Sequence, residues 1–190
     1  MIYMMMSETD LRYTAVHEAG HFFVGLWYHV ITDLVGLPKS VIYNPPTIEG
    51  DLIISGETTY NAWCYEDSEL MNLVKFNSCL AGFVAVKVIY PNVSYDEIAK
   101  GADVDLAICY DMMQEYNIDI KESYIYDYIL MVVYKDHIES ITNELIANKQ
   151  IDTNGTVGSS IMCAIKNDSV AISKQIREIR VIANDLFRMA

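Results

Sequence analysis

Thr14-Ala15-Val16-His17-Glu18-Ala19-Gly20-His21-Phe22-Phe23-Val24-Gly25 is the stretch on which the reading of this chain turns. It lies inside a helical pattern running from Thr9 to about Leu34, opened by acidic residues and closed by Gly36 and Pro38 as stop signals. On a helix His17 and His21 differ by about 40° in direction, so both imidazoles leave one face and can share one zinc ion. Glu18 lies one step round, beside that metal. There it acts as the base for the water that the ion activates at neutral pH, without being a ligand itself.

A catalytic zinc takes three protein ligands and keeps its fourth position for water, so a third donor must come from elsewhere. His29 falls on the same side of the helix but about 12 Å further along its axis, too far to share the metal. It reads as a partly buried or interfacial histidine, and His137, within Lys135-Asp136-His137, as a surface residue. In Lys100-Gly101-Ala102-Asp103-Val104-Asp105-Leu106 two carboxylates open a helix. Either serves there as a cap on the positive end of the helix dipole or as a metal ligand.

Working outward, two β-prone runs, Ser40–Tyr43 and Asp51–Ser55, flank Asn44-Pro45-Pro46 and predict a small hairpin or sheet between the first and second helices. Glu66-Asp67-Ser68 opens a second helix that Pro91 and Asn92 end near Tyr90. A third is expected from Asp103 to Tyr116, after a loop containing Gly101. A long fourth helix runs from about Ile120 to Lys149. Beyond Asn154-Gly155, the spacing of Ile172, Ile176, Ile179, Ala183 and Leu186 predicts a last helix from Ser169 to Arg188. From Lys166 onward the chain is net basic, through Lys166, Lys174, Arg177, Arg180 and Arg188. This tail reads as packed on the domain's own core or as a docking helix for an acidic partner or a second copy.

The composition narrows the classes. In 190 residues, 52% are hydrophobic and 21% charged, enough to close the core of one domain spanning 1–190. A net charge of −13 disfavours nucleic-acid partners. The longest stretch free of Asp, Glu, Lys and Arg, Ala19–Thr32, is shorter than the roughly 20 apolar residues of a spanning helix, so no membrane segment is expected. The amino terminus lacks the basic flank of a secretory signal, and a cytoplasmic protein is the simplest expectation. Cys64, Cys79, Cys109 and Cys163 form no Cys-x-x-Cys pair and read as reduced, mostly buried thiols. Cys109, one turn after Asp105, either lines the site or is an inert buried thiol.

With these residues in view, the chain resembles the peptidase domain of the FtsH-type, ATP-dependent zinc metalloproteases. His17-Glu18-Ala19-Gly20-His21 followed by Val24-Gly25 is similar to that family's zinc helix. Leu80-Ala81-Gly82-Phe83-Val84-Ala85 stands where the family has a Gly-rich second core helix. Gly101-Ala102-Asp103-Val104-Asp105-Leu106 resembles the family segment whose aspartate is the third ligand. The resemblance covers roughly 9–152, leaving 153–190 as an additional C-terminal helical segment. It implies a mainly α metallopeptidase domain with a small β element, with zinc held by His17, His21 and Asp105, Asp103 as the fallback, and Glu18 as base.

Departures carry expectations of their own. Val86 and Lys87 replace an acidic pair, which removes support around the ligands. Phe22 and Phe23 replace smaller residues and predict a narrower mouth to the site. The family's membrane anchor and ATPase module find no counterpart in the 190 residues, so unfolded polypeptides or peptides are the expected substrates, delivered as such or by a separate ATPase. Self-association through the last helix is the other expected contact. The strand around Asp51–Ser55 either receives substrate as an added β-strand or merely covers the core. The competing readings are a catalytically silent, peptidase-like binding module and a metal hydrolase of another bond.

Overall fold

A helix apolar over most of its circumference is stable only where other elements surround it, and the first helix is of this kind, with His17, Glu18 and His21 as polar exceptions. In the computed structural model, α1 (Glu8–Thr32) is buried without interruption from Ala15 to Tyr28. The structure describes residues 6–32, 34–49, 52–61 and 68–188, apart from the side chains of 48, 49, 52, 53, 173 and 175–188. Against α1 lie α2 (Glu69–Ile89) on one side and α6 (Lys135–Asn148) on another. Small residues set the α1–α2 approach. A Cβ placed on Gly20 would stand 2.4 Å from the Ala81 carbonyl oxygen, so only glycine permits that spacing.

The third side of α1 is covered by a sheet. β1 (Pro38–Glu49) and β2 (Leu52–Tyr60) form an antiparallel hairpin, and β3 (Gln150–Asp152) adds to the other edge of β1, giving the order β2-β1-β3. The register places Ser40 opposite Thr58 and Ile42 opposite Gly56. It slips between Ile42 and Thr47, where Pro45 and Pro46 have no N–H to offer the ladder. The architecture is therefore mainly α with a small β element between the first two helices, as expected. The expected strand Ser40–Tyr43 lies inside the longer β1, and Leu52–Ser55 of the other opens the longer β2, while Asp51, Glu66 and Asp67 lie outside the described residues.

Four boundaries differ from the sequence reading. The segment before Asp103, expected as a loop, contains α3 (Tyr95–Gly101), held by a capping box in which Ser94 and Glu97 satisfy each other's backbone N–H groups. α4 (Asp103–Tyr116) matches its expected span. The long fourth helix is two: α5 (Ile120–Val133) packs on α2, and α6 packs on α1. They part at Tyr134, whose φ of −105° and ψ of 27° leave the helix while its ring packs 5.3 Å from Phe23 and 5.9 Å from Trp27. A straight helix of that length would reach about 45 Å, so the break lets both halves reach the core.

The chain past Asn148 also differs, since it forms β3, a strand that the sequence pattern does not predict. α7 then runs from Thr156 to Arg188 as one helix, starting 13 residues earlier than expected. Asp152 sets its entry by accepting from the Asn154 and Gly155 N–H groups at 2.8 and 3.1 Å, and Ile161 and Ile165 bury its first turns. The side chains of Arg177, Arg180 and Arg188, on which the basic docking face depends, lie outside the described residues. Phe22 and Phe23 are fully buried in the core and do not narrow any opening. Among the described residues one helix, α2, is long and apolar enough to cross a membrane, and 72% of its apolar window is buried against the rest of the fold.

Candidate functional site

Helical spacing puts His17 and His21 on one face of α1, and the α1–α2 contact turns that face toward a cleft of about 1140 Å³. Asp105 enters the same cleft from the first turn of α4. Asp105 Oδ2 lies 2.9 Å from His17 Nε2 and 3.2 Å from His21 Nε2, and the two nitrogens are 3.0 Å apart. The three donors are close enough to bind one metal ion. Asp103, the other candidate, also borders the cleft but is exposed and accepts from the Val104 N–H at 2.9 Å, a local contact at the helix start.

The donors are held from behind. His21 Nδ1 donates to the Ser78 carbonyl of α2 at 2.7 Å, which leaves the lone pair of the neutral ring on Nε2, facing the cleft. Gly82 makes room for the imidazole pair: a Cβ there would stand 2.5 Å from both His17 Cε1 and His21 Nε2. The single glycine of α2 thus has a local cause, since any side chain at 82 would occupy the space of the rings.

Charge is balanced within the cluster. Burial works to lower the His21 imidazole, yet its hydrogen bond to Asp105, with the charges of Asp105 and Glu18, raises it to about 9. Burial likewise works to raise Asp105, but hydrogen bonds from His17 and His21 outweigh it and hold the carboxyl well below its ordinary range. A cation arriving between these groups therefore displaces a proton. Cys79 lines the same cleft, but burial and the Asp105 charge push its thiol up to about 12, so it stays protonated at neutral pH.

Glu18, 5% exposed, lines the same cleft and turns its carboxylate to β2. Its Oε2 accepts from the Thr58 hydroxyl of β2 at 2.8 Å. Residues Ile54 to Thr58 and Tyr60 of β2 line the cleft, and Tyr60 donates to the His21 carbonyl at 3.2 Å. β2 is the outer strand of the sheet, so its far edge is not used by another strand among the described residues.

The remaining candidates lie apart from this cluster. His29 donates through Nδ1 to the Val35 carbonyl at 2.8 Å, closing the turn after α1. His137, expected at the surface, is half-buried edge-on against Tyr134. Cys109 is 1% exposed with its thiol 3.8 Å from the Phe76 carbonyl, a core residue that does not line the cleft. Lys87, where an acidic pair was looked for, donates to the Pro91 and Val93 carbonyls at 2.8 Å each and ties off the end of α2.

Sequence reasoning missed Thr58, Ser40, Gly56, Ser78 and Cys79. None carries a local signature, since each reaches the site through strand pairing or helix packing. No protein-family model matches the chain, and no curated protein matches it.

Proposed function

We propose that this protein is a zinc-dependent metallopeptidase that hydrolyses peptide bonds in extended polypeptides, with His17, His21 and Asp105 holding the metal and Glu18 as the general base. The observation that carries the reading is the convergence of three donors beside a carboxylate on the floor of a cleft. A tetrahedral zinc with bonds of about 2.0–2.1 Å separates its ligand atoms by about 3.3 Å, close to the separations of 2.9, 3.0 and 3.2 Å found here. Two imidazoles and one carboxylate are also a donor set suited to that ion.

When bound, zinc supplies Lewis acidity toward the scissile carbonyl and makes water a competent nucleophile at neutral pH. The chain's own residues do the rest. Glu18 takes the proton of the attacking water and passes it to the leaving amine. The open edge of β2 offers backbone N–H and C=O groups to an extended segment, which aligns a peptide along the cleft without demanding a particular sequence. Ser78 keeps His21 in the required tautomer.

The test joins metal content to turnover. Purified protein is expected to hold one zinc per chain and to cleave unfolded proteins or peptides, while Glu18→Gln keeps the metal and loses turnover by a factor of at least about 10². A protein that takes up no zinc refutes the metal assignment. One that binds zinc but cleaves nothing across diverse unfolded substrates refutes the peptidase and leaves a binding module.

A further inference from the structure

A glutamate on a helix has three rotatable side-chain bonds, so a base that must meet water at one position needs something to hold it. We propose that Thr58, backed by Ser40 and with Gly56 as a seat, is the positioning residue for the Glu18 carboxylate. This rests on the peptidase reading given above.

The hydrogen bonds order themselves. An ionised carboxylate only accepts, so the single Thr58 hydroxyl proton goes to Glu18 Oε2 at 2.8 Å. The Ser40 hydroxyl, 2.5 Å from Thr58 Oγ1, must then be the donor in that pair. Ser40 is fully buried and also lies 3.4 Å from the Glu18 backbone carbonyl. Its only strong use is to load the Thr58 oxygen so that the Thr58 proton points at Glu18.

The sheet supplies the rigidity. Ser40 and Thr58 are direct partners across the β1–β2 ladder, and β1 is the central strand, paired on both sides. Gly56 is two residues before Thr58 and therefore on the same face of β2. A Cβ at Gly56 would stand 2.7 Å from Glu18 Cγ and 2.9 Å from Oε1, so the bare backbone there is what lets the carboxylate lie flat. Oε2 is pinned by Thr58, and Oε1, over Gly56, is the oxygen left to exchange the proton. The strand that receives the peptide is thus also the strand that aims the base.

Thr58→Val keeps the branched shape favoured in strands and removes only the hydroxyl, while Thr58→Ser restores it. With zinc content unchanged, Thr58→Val is expected to lower kcat about 10–100-fold with KM within about twofold, and Thr58→Ser to stay within about threefold of the native kcat. A second readout needs neither metal nor turnover. In metal-free protein carrying 13C at the glutamate carboxyls, the Glu18 signal is the one lost in Glu18→Gln. It should move in Thr58→Val and return in Thr58→Ser. Native kcat in Thr58→Val, or a Glu18 signal that does not move, overturns the proposal. If Thr58→Val fails to fold, Ser40→Ala takes its place, with an expected loss of about 3–10-fold in kcat and a smaller movement of the same signal. A native protein that cleaves nothing while the Glu18 signal responds to Thr58→Val refutes the peptidase and leaves the positioning contact standing.

Discussion

Asp105 on α4 and Asp127 on α5 are both taken largely out of water, and the fold drives their carboxyls in opposite directions. At Asp105 burial is outweighed by the hydrogen bonds of His17 and His21, and the group is held as an anion far below its ordinary range. Asp127 is fully buried, neither of its oxygens has a hydrogen-bond partner among the described residues, and burial alone raises it well above that range. Desolvation acts on both; what differs is whether donors have been brought to meet the charge. A paired buried carboxylate is a chemical instrument. An unpaired one is a neutral residue that costs stability whenever it must ionise.

The largest effect should come from removing the paired member. Asp105→Ala is expected to weaken zinc binding by more than about 100-fold, while Asp127→Asn leaves zinc content unchanged. In metal-free Asp105→Ala the His21 titration should fall from about 9 to below its ordinary 6.5, because burial then acts with much less opposition. Zinc titration and imidazole NMR read the two effects. Equal loss of zinc in both variants would erase the contrast between the aspartates.

Next in size is Gly82→Ala, which forces a methyl into the space of the His17 and His21 rings. It should lower zinc affinity about 10–100-fold and destabilise the fold by about 1–3 kcal/mol, read by metal titration and urea unfolding. A variant that binds zinc as the native protein does would show that the rings are not confined there.

Asp127 gives a smaller effect with a definite sign. Its carboxyl stays protonated in the folded protein at pH values where the unfolded chain has already lost the proton, so stability declines as pH rises above the ordinary carboxylate range. Asp127→Asn cannot ionise. It should gain on the order of 1 kcal/mol over the native protein near neutral pH and nothing near pH 4, in urea melts at the two values. A variant most destabilised at neutral pH would mean that Asp127 carries a paired negative charge after all.

The smallest effect sharpens how Asp105 is delivered. Ser94→Ala breaks the capping box of α3, just before α4, and should cost about 0.5–2 kcal/mol in thermal or urea unfolding while leaving the Asp127 pH dependence intact. A change in that dependence would tie the two aspartates to one structural unit.

Much of this molecule can be read from local pattern. The imidazole pair and Glu18 follow from helical spacing, and the hairpin from its prolines and glycines. α3 was also within reach, since Ser94 and Glu97 have the spacing of a capping box. The break at Tyr134 was not, because the apolar spacing continues through it and the cause is the ring's fit against Phe23 and Trp27, more than 100 residues earlier in the chain. β3 was hidden for the same reason, as three residues become a strand only because β1 offers an edge.

What the sequence by itself determined is the chemistry available: two imidazoles four residues apart on one helix, a carboxylate between them, and an aspartate pair 82 and 84 residues beyond His21. A helix has a fixed period, so side-chain direction within it needs no knowledge of the rest of the chain. Only the tertiary structure decided that Asp105 and not Asp103 meets the imidazoles. It also decided that Ser78 and Gly82 stand behind them, that Thr58 and Ser40 hold Glu18, and that Asp127 is buried with no hydrogen-bond partner among the described residues. Those contacts join α1 to α2, α4, β1 and β2 across 22 to 88 residues of chain, and their distances follow from how whole elements pack.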